Sequence, residues 1–324
     1  MSEVLISAEA LSKHYPLRTG FFGGQDRVIR AVDGVSLDIH ERETFALVGE
    51  SGCGKTTLGR VILRLIERTA GTVRYRGQDI YALNDAEMRA MRKKLQIVFQ
   101  DPFASLNPRM RIKDILAEPL RAHGFGNQAQ IEERCVELLD MVGLHAQLLR
   151  RYPHQFSGGQ RQRIGIARAL ANNPEFVVCD EAVSALDVSL QAQVLNLLYD
   201  LQERLKLTYL FITHDLSVVR QFADRIGVMF LGRLVEVGLT DEIFSSPRHP
   251  YTMFLISAVP RADPHQRDRE RPLLVGDIPS PMNLPTGCRF HTRCPYAQAI
   301  CRTEEPALSD RDGRSVACHF PLGL

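Results

Sequence analysis

From residue 49 the chain runs Gly49-Glu50-Ser51-Gly52-Cys53-Gly54-Lys55-Thr56, a fit to Gly-x4-Gly-Lys-Ser/Thr, the loop that cradles phosphate. The glycines let the backbone curl until successive N–H groups face one anion. Lys55 supplies a point charge and Thr56 a hydroxyl suited to Mg²⁺, with Thr57 following on the first helical turn. The helix expected to start here adds the positive end of its dipole. A second chemical group follows later: Phe176-Val177-Val178-Cys179 delivers two adjacent carboxylates, Asp180 and Glu181. Two acids at the tip of a buried strand are costly unless a cation or a reaction justifies them. Asp180 is assigned to the Mg²⁺ side and Glu181 to the base that orients a water. Thr208–Ile212, another buried strand, ends in Thr213-His214-Asp215, which places His214 where it can touch a phosphate. The alternatives are a glycine-rich turn, two solvated acids and a surface histidine. The strand-before, helix-after context of the loop weighs against all three.

That context is legible in the spacing. Thr44-Phe45-Ala46-Leu47-Val48 is an apolar run of strand length, and Leu58, Val61, Ile62 and Leu65 recur every three or four residues. The strand carrying Asp180 has the continuous apolar character of a parallel strand covered on both faces, and such sheets bind ligands at their strand C-termini. Residues 1–43 alternate apolar and polar (Val4, Ile6, Ala8; then Val28, Ile29, Val32, Val35, Leu37, Ile39), as antiparallel strands do. A glycine-rich insertion, Arg18–Gly24 with Phe21 and Phe22, is expected between them. Tyr15 closes the first strand, placed either to stack on an adenine or simply to cover core. Short strands are expected around Gly71–Arg76, a helix near Asp85–Lys93, and a strand at Leu95–Phe99 that stops before Pro102. From 103 to about 170 the apolar spacing is helical (Ile112, Ile115, Leu116; Ile131, Val136, Leu138, Leu139, Val142), which predicts a helical insert in an α/β domain. A helix from about Ser189 to Leu205 and a short one over Phe254–Val259 complete the reading.

The totals set bounds. At 324 residues there is room for one large α/β domain and something smaller; 44% apolar and 24% charged residues are ordinary for a globular chain. A formal charge of +2 gives no general case for nucleic-acid binding. No apolar run is long enough to span a bilayer, and no signal-peptide core is expected at the N-terminus. The cysteines are uneven: Cys53, Cys135 and Cys179 are scattered, whereas Cys288, Cys294, Cys301 and Cys318 crowd the end with spacing Cys-x5-Cys-x6-Cys-x16-Cys. In a cytosolic chain such a cluster points to a metal rather than disulfides, and four thiols suit either a tetrahedral zinc or a four-iron cluster, the alternative being four unligated thiols.

Together these motifs resemble the ATPase subunits of ABC transporters over roughly residues 1–260. The distinguishing element is Ser157-Gly158-Gly159-Gln160, the signature sequence between the phosphate loop and Asp180-Glu181. Two departures occur: Phe156 stands where leucine is usual, and Ala182-Val183 where Pro-Thr often follows the glutamate. The resemblance implies a P-loop NTPase core with an antiparallel β subdomain, ATP and Mg²⁺ as ligands, and a role for each matching residue. Gly49, Ser51, Gly52, Gly54, Lys55, Thr56 and Thr57 would hold phosphates. Thr56, Gln100 and Asp180 would attend Mg²⁺, with Gln100 also sensing the γ-phosphate. Glu181 would polarise the attacking water, His214 would hold the γ-phosphate and Tyr15 would stack on adenine. Ser157, Gly158, Gly159 and Gln160 would act in trans on nucleotide bound by a facing subunit, with Asp187 at the same seam. A lone subunit would then bind ATP and hydrolyse it poorly.

Residues 247–252, Pro-Arg-His-Pro-Tyr-Thr, together with the cysteine tail, resemble the C-terminal extension of ABC subunits that drive oligopeptide, dipeptide and related nickel import, most closely the second ATPase subunits of dipeptide importers. This implies a cassette over 1–260, a linker over 261–286 and a cysteine extension over 287–324. It also implies a four-iron, four-sulfur cluster on Cys288, Cys294, Cys301 and Cys318, with zinc as the alternative. The implied partners are two membrane permeases, a second and non-identical ATPase subunit, and a periplasmic or extracellular solute-binding protein. The implied location is peripheral, on the cytoplasmic face of the inner membrane. Peptide import is the leading function. The alternatives are the same ATPase serving nickel or another small solute, and a non-transport protein: a metal-sensing module whose ATPase is incidental, or a soluble ABC protein of translation or repair, which usually carries two cassettes or a long coiled-coil insert.

Overall fold

In chain order, the computed structural model contains β1 (Val4–Leu17), β2 (Arg27–His40), β3 (Thr44–Val48), α1 (Lys55–Ile62), β4 (Ala70–Tyr75), β5 (Gln78–Asp79), α2 (Asp85–Met91) and β6 (Leu95–Val98). There follow α3 (Ile112–Ala122), α4 (Gln128–Met141), α5 (Gly158–Ala169), β7 (Phe176–Asp180), α6 (Val188–Leu205) and β8 (Thr208–Thr213). The remainder is α7 (Leu216–Phe222), β9 (Arg225–Phe230), β10 (Arg233–Leu239), α8 (Thr240–Ser245), α9 (Pro250–Ser257), α10 (Ala299–Thr303), β11 (Ser309–Arg311) and β12 (Arg314–Val316). The structure describes residues 3–17, 27–101, 103–259, 279–311 and 313–323. The expected glycine-rich insertion at 18–24, the stop at Pro102 and most of the expected linker lie outside the described residues. None of the helices among the described residues is long and apolar enough to cross a membrane.

The chain divides into two units, one made of Met1–Val4, Ile39–Glu43 and Asp79–Ile212, the other of Leu5–Asp38, Thr44–Gln78 and Thr213–Leu324. In the first, β6, β7 and β8 run parallel, with Leu95 opposite Phe176 and Phe176 opposite Thr208. Every residue of β7 and β8 is buried, which is why their sequences are unbroken apolar runs rather than alternating ones. The helical insert falls where the 3.6-residue spacing placed it. Its α3 and α4 bury Ile112, Ile115, Leu116, Leu120, Ile131, Leu138 and Leu139. Arg134, nearly buried on α4, fastens the insert to the end of α5. It donates to the Leu170 and Ala171 carbonyls and to Asn173, and pairs with Glu137 at 2.9 Å. Asn84, Asn127 and Ser157 each open a helix with a reciprocal capping box.

In the second unit β1 lies between β2 and β4, and pairs antiparallel with β4 from Ile6 opposite Tyr75 onward. Beside this, β3 and β9 are parallel, β9 and β10 form an antiparallel hairpin, and β12 adds to β10. The segment from β9 to α8 carried no expectation from sequence. Its organising residue is Glu236, fully buried on β10. Glu236 accepts from the backbone N–H groups of Arg248 and His249, each at 2.9 Å, and from Arg314 at 2.7 Å. A buried carboxylate is tolerable only when so paired. It fixes the Pro247–Tyr251 corner from which α9 starts.

Phe290 is the centre of the packing in the tail. It is 1% exposed and meets Phe230 edge-on at 5.4 Å, with Tyr251, Phe254 and His249 around it. Phe290→Ala is expected to cost about 3–5 kcal/mol in urea or thermal unfolding, because rigid rings around the site close only partly over the void. A loss below about 1 kcal/mol would show that the tail packs elsewhere.

Candidate nucleotide site

The phosphate loop joins β3 to α1, as its strand–loop–helix context requires. Gly49 sits at φ +152° and Gly54 at φ +111°, and both lie hard against neighbouring backbone. A Cβ on Gly49 would lie 2.2 Å from the Met229 carbonyl oxygen, and one on Gly54 2.0 Å from that of Ala31. Only glycine fits at either position. Helix α1 opens on Gly54, which supplies no side-chain cap. Lys55 is almost fully buried and curls back on its own loop, its Nζ donating to the carbonyls of Gly49 at 2.8 Å and Glu50 at 3.0 Å. Burial pushes the Cys53 thiol up, partly offset by the Lys55 charge, and so keeps it protonated. Tyr15 belongs to the same unit, at the end of β1. Its ring is 37% exposed, a face open to stacking, with the Lys13 ammonium 4.9 Å from the ring centroid. His214 directly follows β8 and is exposed; its neighbour Asp215 caps α7 through the Ser217 N–H at 2.9 Å.

The other unit carries the remaining expected residues. Asp180 ends β7 and is 1% exposed. Glu181 follows in a left-handed conformation, φ +47°, which is costly for a residue with a β-carbon. The strain is held by local bonds. The Glu181 N–H donates to Ile212, and its carbonyl accepts from both the N–H and the hydroxyl of Ser184, at 3.1 and 2.9 Å. This kink turns the side chain out of the strand line, where Gln100 Nε2 donates to Glu181 Oε2 at 2.7 Å. Gln100 and Glu181, 81 positions apart, are therefore brought together. The departure Ala182-Val183 leaves the turn intact, both side chains being buried under it.

The signature residues have a local structural role as well. Ser157 Oγ accepts from the Gln160 N–H at 3.3 Å and Gln160 Oε1 from the Ser157 N–H at 3.1 Å, closing the first turn of α5. A Cβ on Gly159 would meet Leu190 at 3.2 Å and one on Gly158 would meet Leu186 at 3.7 Å, so the glycines let the start of α6 approach. Ser157 and Gln160 remain exposed. Asp187 caps α6, accepting from the Leu190 N–H at 2.9 Å and the Ser189 hydroxyl at 2.8 Å, and these bonds hold its carboxyl below the usual range.

The four tail cysteines come together. Cys288, Cys294, Cys301 and Cys318 do line one cavity, with His249, His291 and His319 also on its walls, so donors of the right chemistry converge. That cavity measures about 20 Å³, room for one small molecule at most. Among the described residues no group of three or more His, Cys, Asp or Glu side chains is arranged to hold a metal ion. Burial pushes the Cys288 thiol up to about 11 and Cys294 upward as well. The tail belongs to the same unit as the phosphate loop, and the bonds that join them, from Glu50 to Tyr251 and Arg293, carried no expectation from sequence.

Residues 32–184 match the family described as ABC transporter, and residues 235–301 match the oligopeptide/dipeptide transporter C-terminal region. The chain is 54% identical over 307 residues to the putative oligopeptide transport ATP-binding protein YkfD of Bacillus subtilis (strain 168), spanning 94% of this chain and 93% of that protein. It is 50% identical over 321 residues to the oligopeptide transport ATP-binding protein AppF of the same organism, spanning 98% of each. Among solved structures, the ATP-binding cassette MJ0796, as a dimer in a post-hydrolysis state bound to ADP and Pi, is similar with TM-score 0.64 and 31% identity. The similarity covers 73% of this chain and 99% of that one.

Proposed function

We propose, for a chain that belongs to the ABC transporter ATPase family, that it hydrolyses ATP to drive import of oligopeptides or dipeptides through membrane permeases. The observation that carries the reading is the union, in one chain, of an ATP-binding cassette and the oligopeptide/dipeptide C-terminal region, shared over nearly full length with proteins named for peptide transport.

The mechanism that fits the two half-sites is phosphoryl transfer to water by positioned charge. Gly49, Ser51, Gly52, Gly54, Lys55, Thr56 and Thr57 bind the phosphates, and Thr56, Gln100 and Asp180 would hold Mg²⁺, which supplies charge neutralisation when bound. Glu181 takes the proton of the attacking water, held in aim by Gln100, while His214 contacts the γ-phosphate and Tyr15 the adenine. Ser157, Gly158, Gly159, Gln160 and Asp187 act on nucleotide held by a second ATPase subunit. The dimeric state of the similar cassette MJ0796 and the exposure of Ser157 and Gln160 support this. The chain works with two permeases, a non-identical ATPase partner and an external solute-binding protein, and sits peripherally on the cytoplasmic membrane face. ATP closing the ATPase pair moves the permeases through the helical insert, and hydrolysis resets them.

Deleting the chain is expected to abolish uptake of small peptides, and the tagged chain is expected to copurify with permeases. Copurification with ribosomes or DNA instead, or unimpaired uptake, would defeat the reading. The four thiols are further assigned as a metal site, a four-iron cluster before zinc, on the support of their convergence on one cavity. Iron, sulfide and zinc analysis of anaerobically purified chain tests this. About four irons and four sulfides per chain are expected, stoichiometric zinc would replace iron with zinc, and none of the three would leave four packed thiols.

A further inference from the structure

The tail that bears the cysteines also grips the phosphate loop. Arg293, next to Cys294, makes a bidentate ion pair with Glu50, the second residue of the loop: Nη1 to Oε2 at 2.9 Å and Nη2 to Oε1 at 3.1 Å. The Arg293 side chain is 6% exposed and that of Glu50 22%. From the same tail Tyr251, fully buried, accepts the backbone N–H of Glu50 on its hydroxyl at 2.9 Å. The Glu50 carbonyl in turn accepts from Lys55 Nζ. All three polar groups of one loop residue are thus engaged, two by the tail and one by the phosphate-binding lysine. A second strap lies beside the first. Arg289, next to Cys288, donates to the Leu231 carbonyl and to Asp33, and the adjacent Gly232 N–H donates to Cys53 within the loop at 2.9 Å.

We propose that Arg293 is a positioning residue of the nucleotide site, which neutralises and orients the Glu50 carboxylate beside the bound phosphates, while Tyr251 holds the backbone of the same residue. This rests on the reading of residues 49–56 as the nucleotide-binding loop. The physical need is clear from charge. Glu50 puts a carboxylate into a loop otherwise built of inward N–H groups and one ammonium, where an unpaired negative charge would repel a triphosphate. Arg293 neutralises it at contact distance and, being a planar fork, also fixes its direction. The tail is therefore part of the ATP site, not an appendage to it.

The test is Mg-ATP titration, with thermal unfolding alongside, on the purified full chain and its variants. Arg293→Gln is expected to weaken ATP about tenfold or more, because Glu50 is left unpaired beside the phosphates. Glu50→Gln should bind ATP at least as tightly as the parent, since the cation remains. The double variant Glu50→Gln/Arg293→Gln should recover to within about threefold of the parent. Recovery of ATP affinity by removing a second group is a result that a merely structural strap would not produce. Equal ATP affinity in Arg293→Gln and parent would overturn the proposal. So would a double variant as weak as Arg293→Gln, or a tenfold loss in Glu50→Gln alone, which needs no folded Arg293→Gln protein to read. Lys55→Ala separates the two levels: undiminished ATP binding there would refute the loop assignment itself, whatever Arg293 does.

Discussion

Glu181→Gln is expected to leave ATP binding within about twofold of the parent and to lower turnover by about 10²–10⁴-fold, the range for loss of a general base. The two side chains are nearly isosteric. The φ +47° turn is held by backbone and by Ser184, neither of which the substitution touches. A Gln at 181 can still meet Gln100, so the geometry survives while the proton acceptor is lost. With hydrolysis blocked and ATP held, the ATPase pair should accumulate closed, seen as an ATP-dependent dimer in size-exclusion chromatography. Single-turnover hydrolysis at near-parent rate would remove Glu181 from its role.

The second large effect is expected at Gly54. Alanine there places its β-carbon 2.0 Å from the Ala31 carbonyl oxygen and 2.9 Å from the Met229 methyl, at φ +111°. Backbone cannot step aside as a side chain can. Either the loop is displaced, with ATP affinity down about 100-fold, or the fold absorbs the clash at about 3 kcal/mol or more. Gly52 is the internal comparison. It has φ +78° but nothing within 4 Å of an added β-carbon, so Gly52→Ala should show the conformational cost alone, about 1 kcal/mol. Nucleotide titration and thermal unfolding of both variants check this. Equal behaviour of the two would show that close packing against Ala31 does not shape the loop.

Much of this was legible in the sequence because the signals are local. The phosphate loop, the apolar run before Asp180 and the helical spacing of the insert each depend on neighbours within a turn or a strand. Ser157 and Gln160 were read only for what they do across a subunit seam. Yet Ser-x-x-Gln ahead of Ile164 is also a capping-box pattern, and the structure uses it so. Long-range polar pairs were not legible. Glu236 looks like an ordinary charge within Leu234-Val235-Glu236-Val237, and its partner Arg314 lies 78 positions on. Glu50 and Arg293 are 243 positions apart, with nothing in either segment to mark them as a pair. Cysteine spacing singled out four thiols that line one cavity, but spacing does not fix the cavity's size.

The central claim, that this ATPase is coupled to peptide import, is tested most directly by ATP turnover in liposomes. These would hold the chain with its permeases, its companion ATPase and the solute-binding protein. Dipeptides or oligopeptides added on the binding-protein side are expected to raise turnover about tenfold or more over the peptide-free rate. Nickel complexes are expected to leave it unchanged. Turnover indifferent to peptide and raised by nickel alone would contradict the peptide assignment while leaving the residues of the ATP site in place.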